Sequence, residues 1–215
     1  MKYLKKCVKR ILLYIRHKKY NSISVKNKDV TIFSNCCIGG TMYNDLGLKF
    51  MTPTINLFFR HHGFIDFVNH YEEYETGELI FEGGYDINEN GNHAPICELV
   101  KEGLPSIEIH FLHYNSYDEA KKKWDERYKR INKNKIFLVI EAKDEHEHEL
   151  IEEYVKLPYP KIIFTNEKTN NNKSIKHMKI YDTHPEKSVT SLVGAFGKRG
   201  YDEFDFVNEI FNMDY

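Results

Sequence analysis

The sequence predicts an α/β fold of three layers, in which helices cover both faces of one mainly parallel, Rossmann-like sheet. Short apolar runs, typical of buried strands, alternate with segments whose apolar residues recur at helical spacing. The chain has 215 residues, enough for one large domain. We therefore expect a single α/β domain over residues 23–215, preceded by a basic amphipathic segment over residues 1–22.

The first half of the chain is expected to supply three strands and two helices. The strands are short apolar runs at 30–34, 54–59 and 107–112. A helix follows the first strand and ends near Gly47, a residue type that commonly terminates helices. Aromatic and apolar residues at helical spacing predict a second helix over 63–74. Three glycines and Pro95 make residues 83–96 the longest predicted loop or lid.

The second half repeats the alternation. Residues 116–132 are predicted to be helical because one stripe holds Ala120, Trp124, Tyr128 and Ile131. Residues 144–154 form a strongly acidic predicted helix, and residues 201–212 a last amphipathic one. The remaining strands are expected at 136–140, 161–165 and 178–181.

The composition excludes nucleic acid as the main partner. The chain carries 31 basic and 32 acidic residues, a net charge of −1, so no overall positive field attracts phosphates. Its four cysteines include no C-x-x-C pair, and the adjacent Cys36 and Cys37 are poorly placed to bond each other. We therefore expect a reducing, cytoplasmic setting.

The N-terminal segment is strongly basic. Residues 1–20 hold eight Lys or Arg and no acidic residue, with apolar residues at helical spacing between them. Such a helix suits the anionic inner face of the cell membrane, where each basic residue adds about 1 kcal/mol of attraction. The alternative is a terminal helix that docks on the domain. The apolar run 11–15 is too short for a signal peptide, and no stretch resembles a membrane span.

A strand-to-helix turn at residues 35–40, Asn-Cys-Cys-Ile-Gly-Gly, is the first candidate site. A cysteine at the start of a helix is favoured as the nucleophilic thiolate by the helix dipole and by unpaired amides. Asn35 and the amides of Gly39 and Gly40 would then stabilise a negative oxygen of the substrate. The alternative is a cysteine that is simply a small core residue.

The second candidate site is the predicted strand that ends in His110 and His113. His113 lies nearer the carboxyl end of the strand and is the better candidate for acid–base chemistry. His110 would point to the opposite face if the strand continued, so the two do not predict a shared metal site. His110 is either a second catalytic residue or a hydrogen-bonded core histidine. Asp45 is a candidate to orient an imidazole.

Three basic residues on the next predicted helix, Lys123, Arg127 and Arg130, occupy adjoining positions. They could hold a phosphate or carboxylate of a sugar-nucleotide or lipid-phosphate substrate. The alternative is a solvated helix face whose cations pair with neighbouring acidic side chains.

These motifs resemble those of a known bacterial family, domain-of-unknown-function family 1919 (DUF1919). The resemblance is carried by residues 34–40, Tyr43, 45–48, 52–53, 107–114, Ser116, 119–120, 123–124, Arg127, 130–132, 157–158, Lys161 and 164–165. The turn of the family usually reads Ser-Asn-Asn-Cys, so its cysteine corresponds to Cys37, and Cys36 replaces the second asparagine. Members are described as exopolysaccharide or capsule biosynthesis proteins, which implies a place in cell-surface polysaccharide assembly.

Two hypotheses follow. The first is a transferase that acts on a glycan, sugar-phosphate or sugar-nucleotide, with catalytic residues Cys37, His113, His110 and Asp45. Its substrate-binding residues would be Asn35, Gly39, Gly40, Tyr43, Tyr114, Lys123, Arg127, Arg130 and Asn132. The second hypothesis is a non-catalytic glycan-binding or scaffold protein of the same pathway. No cofactor is identified and no metal site is predicted; the location expected is cytoplasmic, with peripheral attachment to the inner face of the membrane left open.

Overall fold

Two four-stranded sheets, one parallel and one antiparallel, organise the protein in the computed structural model. The structure describes residues 2–20, 22–87, 91, 93–168, 171–193 and 197–215. The prediction of a mixed α/β fold is confirmed.

The elements are numbered in chain order. The helices are α1 (Lys2–Tyr20), α2 (Ile38–Asp45), α3 (Gly63–Tyr74), α4 (Tyr117–Tyr128), α5 (Glu145–Glu149), α6 (Ile151–Lys156) and α7 (Lys179–Thr183). The strands are β1 (Thr31–Ser34), β2 (Phe58–Phe59), β3 (Glu78–Ile87), β4 (His93–Val100), β5 (Ile107–His110), β6 (Ile136–Ala142), β7 (Lys161–Thr165), β8 (Ile175–His177), β9 (Leu192–Val193) and β10 (Lys198–Arg199). A 3-10 turn (Gly200–Glu203) and a π-helical turn (Val207–Phe211) end the chain.

The parallel sheet has the strand order β1-β6-β7-β8. The first five residues of its inner strand β6, residues 136–140, are all apolar because both faces of the strand are covered. Leu138 and Ile140 belong to an apolar cluster shared with α3 and α4, whereas Phe137 and Val139 belong to a second cluster shared with α2 and the C-terminal turns. The three-layer, Rossmann-like arrangement stays a prediction.

The antiparallel sheet, with order β2-β5-β4-β3, corrects the predicted loop at residues 83–96. Most of those residues form the hairpin β3–β4, in which Tyr85 pairs with Pro95. Gly83 has a φ of 79° and lies where the register shifts between Phe81 and Tyr85. Gly83 and Gly84, two of the glycines that suggested a loop, therefore mark a bulge within a strand.

Strand β5 was expected to extend the parallel sheet, and it lies instead between β2 and β4 in the antiparallel sheet. The expectation that both candidate motifs follow strands of one parallel sheet is therefore wrong for the second motif. Residues 88–90 and 92, which the predicted loop also included, lie outside the described part of the chain.

Several boundaries follow the sequence and others do not. Helix α3 and strand β7 have the predicted bounds, and Ser116 accepts a hydrogen bond from the Glu119 amide (3.2 Å) as the N-cap of α4. The predicted strand 178–181 is wrong, because Met178 is the N-cap of α7 and the next three residues form its start. A short apolar run in the sequence does not distinguish a strand from a buried helical turn.

Three other elements are shorter than predicted. Only the last two residues of the segment 54–59 pair as a strand, β2. The acidic helix expected at 144–154 is divided into α5 and α6 at Leu150. The tail expected as one helix over 201–212 consists of the 3-10 and π-helical turns. Tertiary packing thus divides or shortens helices and strands that the spacing of apolar residues predicts as continuous.

Helix α1 docks on the domain through Arg16 and Tyr20, both of which are buried. Its opposite face exposes Val8, Ile11 and Ile15, which fall on one stripe at helical spacing, with exposed fractions of 47%, 59% and 40%. Docking is the second alternative that the sequence left open for this segment. Across the described residues, no helix combines the length and apolarity needed to cross a membrane.

Candidate functional site

A cavity of about 990 Å³ lies between α1, the first turn of α2 and residues 50–57; we call it the α1 cavity. Its apolar lining comes mainly from α1 and consists of Val8, Leu12, Leu13, Phe50 and Leu192. Its polar lining consists of His17, Cys37, Thr41, Asn44, Asn56, His113, Thr190, Ser191 and Arg199, together with the backbone of Gly40. The cavity therefore joins residues of both candidate motifs.

Cys37 lies at the N-cap of α2 and is half-buried. Its thiol donates a long hydrogen bond to the Leu57 carbonyl, with a sulfur–oxygen distance of 3.8 Å. Gly39 is packed on β1, where a Cβ would lie 3.1 Å from an Ile32 methyl group. A Cβ on Gly40 would lie 3.3 Å from an Ile55 methyl group. The two glycines thus let the start of α2 sit close to the sheet and to the cavity wall.

Residues 50–57 form one wall of the cavity through Phe50 and Asn56. Asn56 has a φ of 62°, a left-handed conformation that asparagine tolerates better than most side chains. The Tyr114 hydroxyl donates to the Ile55 carbonyl (2.8 Å) and fixes the position of this wall. Tyr114, predicted to bind substrate, is itself buried in the protein.

The basic residues of α4 also act on this wall. The buried guanidinium of Arg127 lies 5.1 Å from the centre of the Phe50 ring and donates to the Tyr114 hydroxyl (2.5 Å). Arg130 donates to the Phe50 carbonyl (3.4 Å), and Lys123 pairs with Glu126 (3.3 Å). None of these three predicted anion-binding residues lines the α1 cavity. Arg127 and Arg130 position Phe50, which does.

The two histidines of the central motif have different surroundings. His113 is exposed and lines the α1 cavity. His110 is buried and stacks on Phe58 at a ring separation of 4.3 Å. Its ring nitrogens lie 2.6 Å from Glu108 and 3.1 Å from Asp86. Only His113 is therefore placed with Cys37.

Asp45, predicted to orient a histidine, is fully buried among basic side chains. Arg16 of α1 donates to it at 2.5 Å, and Arg199 of β10 donates at 2.9 and 3.1 Å. The Tyr201 hydroxyl also donates to it. Arg16 makes a second, two-pronged contact with Asp202. This charge cluster (Arg16, Asp45, Arg199, Tyr201, Asp202) fixes α1 against the domain.

The side chain of Asn35 enters a second polar group, the carboxylate cluster (Asn35, Cys36, Glu141, Glu147, Tyr154, Tyr181). Its amide donates to the Glu141 carbonyl (3.0 Å) and to Glu147 (3.1 Å), and its oxygen accepts from the Glu141 amide (3.0 Å). Tyr154 donates to Glu147 (2.6 Å). Burial raises the pKa of Glu147. Asn35 thus joins β1 to β6 and α5.

Cys36 belongs to this carboxylate cluster and not to the cavity. Its sulfur lies 3.7 Å from a Glu141 oxygen. Burial, followed by the negative charge of Glu141, raises the pKa of the Cys36 thiol well above its ordinary value. The other oxygen of Glu141 accepts from the Tyr181 hydroxyl (2.6 Å) and the Val189 amide (2.9 Å).

Two further predicted binding residues hold the fold together. The buried Tyr43 hydroxyl donates to the Val30 carbonyl (2.5 Å) and accepts from the Ile32 amide (2.9 Å). The Asn132 backbone amide donates to Thr31 (2.8 Å), and its side chain donates to Asp29 (2.9 Å). Their binding roles stay predictions.

Sequence reasoning missed the cavity residues that come from outside the two motifs. Arg199, His17, Asn44 and Asn56 are isolated polar residues without a motif of their own. One pattern in the sequence could have pointed to the docking of α1: Arg16 and Tyr20 lie four residues apart and so share a helix face. A buried arginine on that face requires buried acidic partners elsewhere in the chain.

The arrangement supplies the parts of thiol-dependent group transfer. Cys37 offers a nucleophile at a helix N-terminus, where backbone amides lack intrahelical acceptors. His113 offers an imidazole that can accept and return a proton. Arg199, Asn44 and Asn56 offer donors for an anionic, hydroxyl-bearing substrate.

Comparison with known proteins gives two findings. The family model described as "Domain of unknown function (DUF1919)" matches residues 8–211. An uncharacterised protein of Haemophilus influenzae is 28% identical over 186 residues, which cover 84% of this chain and 84% of that protein. The matched region includes both candidate motifs and most of α1.

Proposed function

The chain belongs to the DUF1919 family, and from that premise we propose that it is a transferase of cell-surface polysaccharide biosynthesis. Its substrate is a glycan or sugar-phosphate bound in the α1 cavity. The observation that supports this proposal is that Cys37 and His113, which belong to motifs far apart in sequence, line the same cavity. The other motif residues, Tyr114 and Arg127 among them, support the wall of that cavity.

The proposed reaction has two steps. His113 takes the proton of the Cys37 thiol, and the thiolate attacks the electrophilic carbon of an acyl or glycosyl donor. The bond from that carbon to its leaving group breaks, and the leaving group takes the proton from His113. A sugar hydroxyl then attacks the same carbon and gives its proton to His113, and the sulfur departs as thiolate and takes that proton back.

Stabilisation of the developing charge is assigned to the first turn of α2. The early amides of a helix have no intrahelical acceptors and favour a negative oxygen. Gly40 lines the cavity in this turn. Asn35, which was a candidate for this role, makes its amide contacts with Glu141 and Glu147, so we assign it to holding the turn in place.

We place the protein in the cytoplasm, attached peripherally to the anionic inner face of the cell membrane through α1. The helix has basic residues along its length and no acidic one, and it exposes the stripe Val8, Ile11 and Ile15. An anionic bilayer matches both properties, because it attracts the cations and accepts the apolar side chains.

Vesicle flotation tests the membrane attachment. The full chain should float with phosphatidylglycerol vesicles and stay behind with phosphatidylcholine vesicles. The double variant Ile11→Asp, Ile15→Asp should lose flotation, whereas Ile87→Asp, at a still more exposed isoleucine on β3, should keep it. Unchanged flotation of the double variant would refute the attachment. A monomer–dimer shift caused by the same variant would assign the stripe to a second copy of the chain.

The transferase proposal is tested by trapping the covalent intermediate. The native chain is incubated with a panel of acyl thioesters and activated sugars, and the intact mass and the modified peptide are measured. A donor-derived adduct should form on Cys37 and be absent in Cys37→Ser, while Cys36→Ser, a matched neighbour in the carboxylate cluster, should still form it. Undiminished turnover in a folded Cys37→Ser variant would contradict the mechanism.

The alternative function is a non-catalytic glycan-binding or scaffold protein. It is favoured by the internal hydrogen bonds of Tyr43, Tyr114 and Asn132, which are structural contacts. Glycan binding that survives in Cys37→Ser without any adduct in the native chain would support this alternative.

A further inference from the structure

We infer that the α1 cavity takes an amphiphilic substrate, with an anionic, hydroxyl-rich headgroup and an apolar chain, of the class of lipid-linked sugar phosphates. This inference rests on the proposed function, because it names the substrate class of the same site. It goes further in stating that one partner in the group transfer comes from the membrane.

The polar side of the cavity fits the headgroup. Arg199 lines this side with a guanidinium that is ion-paired with Asp45, and Asn44 and Asn56 supply amides that can donate to phosphate or sugar oxygens. Of the lining residues that the structure describes, none is Asp or Glu. An anionic group therefore meets donors there without direct repulsion from a lining carboxylate.

The opposite side fits an apolar chain. Val8, Leu12 and Leu13 of α1 line it, and Phe50 and Leu192 add apolar surface. A sugar phosphate without a lipid chain would leave this wall in contact with water. Binding at an apolar wall is stabilised when a ligand buries it, so a lipid chain fits this side better. A ligand with one polar and one apolar end matches both sides at once.

The apolar wall continues onto the outer surface of the protein. Val8 lines the cavity and is also 47% exposed, on the same stripe as Ile11 and Ile15. A lipid chain can therefore pass from the bilayer beneath the stripe into the cavity along one apolar path. This continuity distinguishes a membrane substrate from a soluble one.

The charge cluster ties the α1 wall of the cavity to the domain. Arg16 ties α1 to Asp45 and Asp202, and Asp45 also binds Arg199 of the polar lining. The same buried carboxylate thus holds the helix that faces the lipid chain and the cation that faces the headgroup. The cluster thereby fixes the distance between the polar side and the apolar side of the cavity.

The test is isothermal titration calorimetry on the full chain with four probes: decyl phosphate below its micelle concentration, inorganic phosphate, glucose 1-phosphate and decyl maltoside. Decyl phosphate should bind at least about 100-fold more tightly than inorganic phosphate, given the free energy of burying several methylene groups. Leu13→Asn, in the cavity wall, should weaken decyl phosphate about 10-fold. Ile11→Asn, on the exposed stripe of the same helix, should change the Kd less than about twofold.

Each other outcome overturns a stated part of the inference. Equal affinity for inorganic phosphate or glucose 1-phosphate would show a soluble headgroup alone, and equal affinity for decyl maltoside would refute the anionic headgroup. An equal loss in Leu13→Asn and Ile11→Asn would place the chain outside the cavity. Binding is measured without turnover, so tight decyl phosphate binding, together with no Cys37 adduct from the acyl and glycosyl donor panel, would refute the proposed mechanism and keep this inference.

Discussion

Cys36 and Cys37 are adjacent in sequence and lead into two different regions of the molecule. Cys36 lies in the carboxylate cluster beside Glu141, where burial and a negative charge raise the pKa of its thiol. Cys37 starts α2 and lines the α1 cavity, which it shares with His113. The carboxylate cluster is closed by its own hydrogen bonds, whereas the cavity is open to a ligand.

Neighbouring side chains of one turn point to different places, so one can line the cavity while the next makes only structural contacts. Both thiols belong to one motif, and so do Asn35, which joins two strands, and Gly40, which borders the cavity. The central motif divides in the same way between His110 and His113. A motif therefore contains residues that build the site and residues that would act in it.

The largest expected effect is on the charge cluster that holds α1 over the cavity. Asp45→Asn leaves the buried cations Arg16 and Arg199 without their shared carboxylate. It should lower the free energy of unfolding in urea by about 3–5 kcal/mol, since breaking a buried ion pair leaves an uncompensated charge. Asp214→Asn, at the exposed pair with Lys26, should leave the urea midpoint unchanged. Equal midpoints for the two variants would mean that the cluster does not secure α1.

The second prediction separates the two histidines. His113→Gln should reduce the rate of group transfer by about 100-fold, the lower end of what a general acid–base residue contributes, with little change in stability. His110→Gln should have the converse profile, because it breaks contacts with Glu108 and Asp86 in a folded sheet. Rate assays and urea unfolding on both variants measure the contrast. A rate loss confined to His110→Gln would reverse the assignment.

A smaller effect is expected in the carboxylate cluster. Burial raises the pKa of Glu147 above its ordinary 4.5, so the folded state binds this proton more tightly than the unfolded state. Its contribution to stability is complete below pH 4.5 and is lost as the pH rises through the raised value. Curves of the free energy of unfolding against pH for the native chain and Glu147→Gln should therefore diverge above pH 4.5, where the native chain becomes less stable relative to the variant. Parallel curves would mean that Glu147 ionises normally.

Part of this comparison was predictable from the sequence. The run 136–140 is apolar at every position, which is what a doubly covered strand requires, and it lies in β6. Phe64, Phe67 and Tyr71 recur at helical spacing and lie on the buried face of α3. The position of Cys37 at the start of a helix followed from the strand and the two glycines around it. Local patterns of this kind depend on near neighbours in the chain.

The rest depends on residues distant in the chain. Gly83 and Pro95 suggested a loop, but Pro95 pairs with Tyr85 and Gly83 lies in a bulge of the same hairpin, an arrangement that no local pattern reveals. Arg199 reaches the cavity because it pairs with Asp45, 154 positions away. The separation of Cys36 from Cys37 follows from Glu141 on the neighbouring strand. Such contacts are set by tertiary packing, which sequence periodicity does not encode.

The most direct test of the central claim is iodoacetamide labelling of the native protein across pH, with each cysteine quantified by peptide mass. Burial raises the pKa of the Cys36 thiol, and it raises the pKa of the Cys97 thiol to about 12. Cys37 should therefore react faster than these two cysteines and at lower pH. Decyl phosphate should slow the reaction at Cys37 selectively. Labelling of Cys37 only after denaturation, or no faster than Cys36, would contradict the account.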